Sequence, residues 1–209
     1  MNALYPQFDA AFKALPLVAI LRGVTPGEVG AIAVALYEEG FRLIEVPLNS
    51  PAALDSIARL THILPPDALV GAGTVMRRAD VTAVKNTGAR LIVMPHADLD
   101  VIAQAKQDGM VCIPGAMTPT EVFAALDTGA DAVKIFPAEL VPPVGIKAMR
   151  AGVPREVKLL PVGGITPERM GEYREAGASG FGLGGALYAP GMTAEAVREK
   201  AKRFVAAWK

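Results

Sequence analysis

Cysteine and histidine are scarce in this 209-residue chain, and their scarcity narrows the chemistry open to it. The single cysteine, Cys112, excludes a disulfide within the chain. Only two histidines, His62 and His96, accompany it, so a zinc site built from cysteine and histidine is not expected. The sequence therefore predicts a protein that uses neither a metal nor another cofactor.

An excess of charge of either sign is also missing, as are long apolar runs. The 21 lysines and arginines balance 21 aspartates and glutamates, whereas a nucleic-acid-binding protein normally carries a basic excess. No apolar run reaches the roughly 18 residues that a membrane helix needs. Residues 1–15 contain Asp9 and lack a basic start before an apolar stretch, unlike a secretory signal. We therefore predict a cytoplasmic protein with neither a nucleic-acid nor a membrane partner.

What the chain does contain is a repeating pattern of short apolar runs. Apolar residues make up 52% of the chain, which is enough for a large core. Runs rich in valine, isoleucine and leucine begin near residues 17, 42, 68, 91, 110, 131, 157 and 179. Each interval has room for one strand, one helix and two short loops. Because these strands are apolar throughout, they are typical of a parallel sheet covered on both faces.

Eight such units predict an α/β fold, the closed (β/α)8 TIM barrel, in a single domain over residues 1–209. An open, doubly wound sheet is the alternative, because periodicity alone does not prove closure. Residues 5–15 are expected to form an extra amphipathic helix that covers the N-terminal end of the barrel.

Glycines and hydroxyl–proline pairs mark the ends of the predicted helices. Five glycines follow helical stretches, where the residue after a helix can take positive φ: Gly40, Gly88, Gly109, Gly129 and Gly177. Four pairs are predicted to open helices with the hydroxyl as N-cap: Thr25-Pro26, Ser50-Pro51, Thr118-Pro119 and Thr166-Pro167. In TPGE and TPTE, Glu28 and Glu121 complete predicted capping boxes.

Lys134 is the most informative residue at the C-terminal strand ends, where barrel active sites lie. It interrupts the apolar run 132–137, and strand alternation places it on the same side as Phe136. Inside a barrel, desolvation lowers the pKa of a lysine, and a neutral amine is what Schiff-base chemistry with a carbonyl requires. The alternative is a lysine that extends out of the barrel mouth or pairs with an acid for structure.

Glu45 is the counterpart of Lys134. It lies inside the second apolar run, and the second and sixth strands of an eight-stranded barrel face each other. Both side chains can then reach a common centre, where a carboxylate can move protons and the charged pair lowers the cost of burying either group. A buried ion pair without chemistry is the alternative.

Two glycine pairs predict an anion site beside this pair. Gly163-Gly164 and Gly184-Gly185 end the seventh and eighth strands, and the loops after these strands commonly bind phosphate in barrels. Arg22 is a candidate for binding a carboxylate or phosphate, and Thr74 for donating to a carboxylate; either residue is equally compatible with a supporting structural role.

These residues together indicate a lysine-dependent aldolase that acts on a small phosphorylated keto compound without a metal. A sugar-phosphate isomerase or epimerase would share the phosphate loops, but it needs no lysine inside a strand. A non-catalytic barrel that binds a phosphate ligand is a third possibility, in which Lys134 and Glu45 form only a structural pair.

The motifs ILRG, IEVPLNS, GAGTV, VKIFP and VGGITPE, in this order over residues 16–190, resemble bacterial 2-keto-3-deoxy-6-phosphogluconate and 2-keto-3-deoxy-6-phosphogalactonate aldolases. The resemblance implies a class I aldolase on a (β/α)8 barrel, usually trimeric, that releases pyruvate and glyceraldehyde 3-phosphate. It makes Lys134 the Schiff-base lysine and Glu45 the general acid/base. It also implies a set of binding residues: Arg22, Thr74, Pro95 and Phe136 at the pyruvate end, and Gly163, Gly164, Gly184 and Gly185 in the phosphate loops.

Departures from the gluconate-type pattern indicate the galactonate-type branch, and hence a role in galactonate degradation. Gluconate-type members usually carry arginine and threonine where this chain has Asn49 and Ser50, and threonine where it has Val162, which therefore joins the predicted substrate-binding residues. Ala186 replaces a serine common in the gluconate-type branch, and His96 matches neither pattern.

Overall fold

The computed structural model describes residues 4–209 and has an α/β fold with parallel strands. The predicted domain begins at residue 1, so its residues 1–3 lie outside the described residues. The strands are β1 (Leu17–Ile20), β2 (Leu43–Pro47), β3 (Leu69–Gly73), β4 (Leu91–Val93), β5 (Val111–Ile113), β6 (Gly115–Ala116), β7 (Val133–Ile135), β8 (Leu159–Pro161) and β9 (Phe181–Leu183). Every predicted apolar run contains a strand that begins within two residues of the expected position.

Helices separate most of the strands. They are α1 (Tyr5–Ala14), α2 (Val29–Glu38), α3 (Ala53–Ile63), α4 (Arg78–Lys85), α5 (Leu99–Gln107), α6 (Pro119–Asp127), α7 (Pro143–Met149), α8 (Met170–Glu175) and α9 (Ala194–Trp208), with a 3₁₀ turn at Pro167–Arg169. The five glycines predicted to follow helices all have positive φ, between 72° and 106°. Over residues 4–209, no helix is both long enough and apolar enough to cross a membrane.

The strands form two hydrogen-bonded sheets that adjoin at both edges. Six strands pair in the order β5-β4-β3-β2-β1-β9 and three in the order β6-β7-β8, and every pair is parallel. Only Pro114 separates β5 from β6, and a parallel bridge joins Val162, just after β8, to Gly182 of β9. The fifth predicted strand is thus divided in two, because a proline has no N–H for the ladder. The sheet is parallel and curled.

Both faces of the sheet are covered, which explains why the strands are apolar throughout. A large cluster packs one face against the helices, and a smaller cluster fills the other face. Along β2, Leu43 belongs to the smaller cluster and Ile44 to the larger. Because side chains alternate, Glu45 shares the face of Leu43, and Lys134 shares the face of Ala132, another member of the smaller cluster. The two ionisable side chains therefore lie on the same, inner face.

Helix α1 closes the end of the smaller cluster at which the strands begin. Phe8 and Phe12 are buried there, with ring centroids 5.6 Å apart. Lys158, just before β8, places its Nζ 5.6 Å from the centroid of Phe8 and 5.5 Å from that of Phe12. Its ammonium also donates to Tyr5 Oη at 3.1 Å and lies 3.5 Å from Asp9 Oδ1. This end of the sheet is filled by apolar side chains and a paired lysine.

The predicted capping boxes are confirmed at one position and wrong at the other. Thr118 and Glu121 form the full capping box of α6. Thr25 does not cap a helix: α2 begins only at Val29, and the Thr25 hydroxyl donates to Glu28 Oε2 at 2.6 Å. The other carboxylate oxygen of Glu28 accepts from Tyr188 Oη at 2.7 Å. The tertiary contact with Tyr188 thus uses the carboxylate that the sequence assigned to the cap.

Candidate active site

Lys134 lies on β7 with 5% of its surface exposed. Its Nζ lies 4.4 Å from the centroid of the Phe136 ring, which confirms that these two side chains share one side of the strand. Burial lowers the pKa of the Lys134 ammonium; the negative charge of Glu45 opposes this shift, and the positive charge of Arg22 adds to it. A larger fraction of the amine is therefore neutral, and hence nucleophilic, than in an exposed lysine.

Glu45 lies on β2 with 1% of its surface exposed. Burial raises the pKa of its carboxyl to about 7, although the positive charges of Lys134 and Arg22 oppose the shift. Its Oε2 is buried and has no hydrogen-bond partner among the described residues. A carboxyl with a pKa near neutrality and an open acceptor is suited to take up and return a proton.

A cavity of about 310 Å³ opens at the C-terminal ends of the strands, beside Lys134. Its lining comprises Ile20, Arg22, Lys134, Phe136, Val162, Gly163, Gly164, Ile165, Thr166, Gly182, Gly184, Gly185 and Ala186. Lys134, Phe136 and both glycine pairs therefore border the same space. The cavity thus brings together most of the residues that the sequence assigned to the site.

The glycine pairs that line this cavity present backbone donors. Within residues 4–209, no hydrogen bond uses the N–H groups of Gly164, Gly184, Gly185 or Ala186. Unpaired N–H groups on neighbouring loops form a site for an anion such as a phosphate. Arg169 adds positive charge, since its Nη1 donates to the carbonyl of Gly164 at 2.9 Å.

An acidic residue that the sequence did not single out also reaches this loop. A β-carbon built on Gly163 would lie 2.9 Å from Glu139 Cδ, and one built on Gly164 would lie 3.1 Å from Glu139 Cγ. Gly163 and Gly164 have φ of 112° and 60°, so both the backbone and the contact with Glu139 require glycine. Glu139 comes shortly after β7 in the chain, and only the three-dimensional structure brings it to a loop that follows β8.

Asn49 and Ser50 hold the loop that carries Arg22. Arg22 Nη1 donates to Asn49 Oδ1 at 2.8 Å, and the backbone N–H of Gly23 donates to Ser50 Oγ at 2.9 Å. The prediction that Ser50 caps a helix is therefore wrong, because α3 begins at Ala53 and the hydroxyl is used by the neighbouring loop. These two residues orient the arginine at the mouth of the cavity.

Thr74 and Pro95 do not line the cavity with Lys134. Thr74 lines a neighbouring cavity of about 520 Å³, which it shares with Asn49 and Ser50. Its φ of 56° is rare for a β-branched residue and stores backbone strain, as residues at functional sites often do. Pro95 is half-buried, and a β-carbon built on Gly115 would lie 2.5 Å from its carbonyl oxygen. His96 is exposed.

Besides Glu139, which lies against Gly163 and Gly164, sequence reasoning missed several residues that line the cavity. Ile20, Ile165, Thr166 and Gly182 line the cavity, and Ala186, noted only as a departure from a pattern, does so too. Thr166 could have been predicted as a cavity residue from its position in the sequence, because it closely follows the glycine pair after β8. Its pairing with Pro167 indicated an N-cap instead, yet the Thr166 side chain makes no capping hydrogen bond.

Among residues 4–209, no three histidine, cysteine, aspartate or glutamate side chains cluster so that they could hold a metal ion.

The site lies on a curled parallel sheet and combines the buried Lys134, Glu45 on the same inner face and a glycine-lined cavity at the strand ends. These features define an α/β enzyme site. The family model described as "Aldolase: KDPG and KHG aldolase" matches residues 8–200. The chain therefore belongs to the KDPG and KHG aldolase family, whose members are carbon–carbon lyases. The family membership predicted from the five motifs is confirmed.

Individual relatives favour one branch of this family. The chain is 43% identical to the 2-dehydro-3-deoxy-6-phosphogalactonate aldolase of Escherichia coli (strain K12), over 93% of this chain and 95% of that one. It is 31% identical to the 2-dehydro-3-deoxy-phosphogluconate aldolase of Zymomonas mobilis subsp. mobilis, over 81% and 80% of the two chains. A solved structure described as "Native KDPGal structure" aligns with a TM-score of 0.91 at 43% identity, covering 93% of this chain and 94% of the other.

Proposed function

We propose that this protein is a class I aldolase that cleaves 2-dehydro-3-deoxy-6-phosphogalactonate to pyruvate and D-glyceraldehyde 3-phosphate. The observation that carries the proposal is the buried Lys134, which lies on the inner face with Glu45 and lines a cavity. The same cavity is lined by backbone N–H groups that have no hydrogen-bond partner among the described residues. The activity and substrate of the similar Escherichia coli enzyme support the same conclusion.

In the proposed mechanism, the neutral Lys134 amine attacks the C2 carbonyl of the substrate, and loss of water gives an imine. Glu45 takes the proton of the C4 hydroxyl through a water, the C3–C4 bond breaks, and its electron pair moves through C2 to the imine nitrogen. Glyceraldehyde 3-phosphate leaves. Protonation of the enamine at C3 and hydrolysis of the imine then release pyruvate and free Lys134.

The two ends of the cavity give the substrate its orientation in this proposal. Arg22 lies beside Lys134 and attracts the substrate carboxylate, while the 6-phosphate binds the N–H groups of Gly164, Gly184, Gly185 and Ala186. Phe136 lines the pyruvate end against Lys134. Thr74 and Pro95 do not line this cavity, so their contact with the pyruvate part is proposed from the resemblance alone.

We infer that the sheet closes into a (β/α)8 barrel of one domain, with α1 as the extra N-terminal helix. The single-residue gap at Pro114 and the bridge from Val162 to Gly182 support closure, since they join the two sheets at both edges. A homotrimer in the cytoplasm is the assembly expected from the resemblance. Light scattering on the purified protein will measure its mass.

Val162 is the residue to which we assign the choice between the two substrates. They differ only in the orientation of the C4 hydroxyl, and Val162 lines the cavity with 7% of its surface exposed. A valine offers methyl groups where a threonine would offer a hydrogen bond, so it gives no advantage to the gluconate-type epimer.

Pyruvate release from the two C4 epimers, coupled to lactate dehydrogenase, tests the proposal. We expect the galactonate-type substrate to be cleaved at least as well as its epimer, and Lys134→Ala to serve as the inactive control. A strong preference for the gluconate-type epimer would contradict the substrate assignment. Absence of pyruvate from both substrates would contradict the lyase assignment and favour a phosphate-ligand isomerase or binding protein.

A further inference from the structure

Gly73, the last residue of β3, is a glycine that the backbone does not require. It is buried, and its φ lies outside the left-handed region that favours glycine, unlike that of nine other glycines among the described residues. Its carbonyl accepts from the Leu48 N–H at 2.8 Å, as in an ordinary parallel ladder. An alanine is therefore compatible with the main chain at this position, and the reason for glycine lies in its surroundings.

The carboxyl group of Glu45 occupies the space in which a side chain of residue 73 would lie. A β-carbon built on Gly73 would overlap Cδ, Oε1 and Oε2 of Glu45, and these are its three nearest atoms. Gly71, two residues earlier on the same strand, differs, because its β-carbon would overlap the backbone of Leu91 on β4. Gly71 thus allows the strands to approach, whereas Gly73 leaves room for one carboxyl group.

Packing against Gly73 constrains where this carboxyl group lies. Glu45 Oε2 has no hydrogen-bond partner among the described residues, so no polar contact anchors that oxygen. The side chain is 1% exposed and is therefore enclosed by its neighbours. The bare surface of Gly73 is therefore the feature that lets the carboxyl group reach its position on the inner face of β2.

We propose that Gly73 is a positioning residue for catalysis, which sets the location of the Glu45 carboxyl group relative to the Lys134 imine. The inference rests on the proposed function, in which Glu45 transfers the proton. A general base must lie within about 2.6–3.2 Å of the group or water from which it takes the proton, and a displacement of about 1 Å can cost about 10²-fold in rate. A methyl group at residue 73 displaces the carboxyl group by a distance of that order.

Gly73→Ala is expected to lower kcat about 10²-fold with a much smaller change in KM, and to shift the pH-rate limb near neutrality. Gly171→Ala is the matched control, since among the described residues nothing outside the backbone of its own helix lies within 4 Å of a β-carbon built there, and its φ is also outside the left-handed region. It should leave kcat unchanged. Gly73→Ala activity within about threefold of wild type would overturn the inference.

Shortening Glu45 gives the decisive comparison. In the Glu45→Asp background the missing methylene leaves room for the methyl group, so Gly73→Ala should cost less than about tenfold there, a strongly non-additive result. Equal costs in the two backgrounds would mean that Gly73 acts through something other than Glu45. If Glu45→Asp and Glu45→Gln both retain full activity, the proposed role of Glu45 fails instead, and the two failures are thereby distinguished.

A stability measurement covers the case in which Gly73→Ala folds poorly. In the Glu45→Ala background the obstructing carboxyl group is gone, so adding Gly73→Ala should leave Tm unchanged, whereas it should lower Tm in the wild type. A similar fall of Tm in both backgrounds would overturn the inference without any assay of activity.

Discussion

Two lysines, one near each end of the sheet, lie beside phenylalanine rings, and they have opposite surroundings: Lys134 is buried, whereas Lys158 is half-buried. Lys158 has a carboxylate, a tyrosine hydroxyl and the rings of α1 around its ammonium. Lys134 has one ring beside its ammonium, and within the described part of the chain that ammonium makes neither a hydrogen bond nor an ion pair. At the end of the sheet that α1 covers, here called the closed end, the Lys158 ammonium has polar and charged partners. At the end that carries the cavity, here called the open end, the lack of such partners among the described residues favours a neutral, reactive Lys134 amine.

Replacing these two lysines gives the largest contrast. Lys134→Ala should abolish turnover, because no other residue supplies the electron sink, while the melting temperature should not fall, since a poorly paired buried cation is removed. Lys158→Ala should leave kcat of the folded protein unchanged and lower the melting temperature. Assays of kcat and thermal unfolding on both variants measure the contrast. Ordinary turnover by Lys134→Ala would refute the assignment.

Glu45→Gln tests the proton transfer at the open end. We expect kcat to fall by about 10²–10⁴-fold, the usual range for a general acid/base. Because Glu45 acts as a base with a pKa of about 7, wild-type activity should rise as the pH increases through neutrality, and the variant should lose this limb. A pH series of initial rates measures both effects. A loss below tenfold would reduce Glu45 to a structural partner of Lys134.

Phe8→Ala tests the closed end. Phe8 is fully buried between α1 and the strands, and truncating such a phenylalanine typically costs about 3–5 kcal/mol of unfolding free energy. Chemical denaturation should show this loss, with kcat per folded molecule unchanged at low temperature. An equal loss of kcat would show that the two ends do not act independently.

Val162→Thr should produce a smaller change, confined to specificity. A hydroxyl at this position should raise kcat/KM for the gluconate-type epimer relative to the galactonate-type epimer, by an amount corresponding to about 1–3 kcal/mol. The ratio of kcat/KM for the two epimers is the measurement. An unchanged ratio would mean that Asn49, Ser50 or another loop determines the specificity.

Metal removal should have no effect. In the proposed mechanism the imine nitrogen accepts the electron pair, which is the task that a metal performs in other aldolases. Activity should survive dialysis against EDTA. A requirement for an added divalent cation would place the protein in another mechanistic class.

The positions of the strands and the helix that covers the closed end were predictable from the sequence. The residues around the cavity at the open end were predictable only in part. Apolar runs place the strands within two residues, because burial on both faces leaves few other patterns. Lys134 and Glu45 stand out because each interrupts such a run. Two contacts could not be predicted in this way: that of Gly73 with Glu45, and that of Glu139 with Gly163. Each joins residues on different strands or loops, so no local sequence pattern indicates it.

Local signals also failed where tertiary contacts used the same groups. Thr25 and Ser50 carry the sequence pattern of helix N-caps, yet their hydroxyls bond to Glu28 and to the Gly23 N–H. Thr74 follows a strand end like the other candidates, but its strained backbone turns it toward the neighbouring cavity.

The most direct test of the central claim is reduction with borohydride in the presence of pyruvate, followed by mass spectrometry of the peptides. Our account predicts one reduced pyruvate adduct, located on Lys134 and absent from Lys134→Ala, with Lys158 unmodified. An intact protein without an adduct, or an adduct on another lysine, would contradict it.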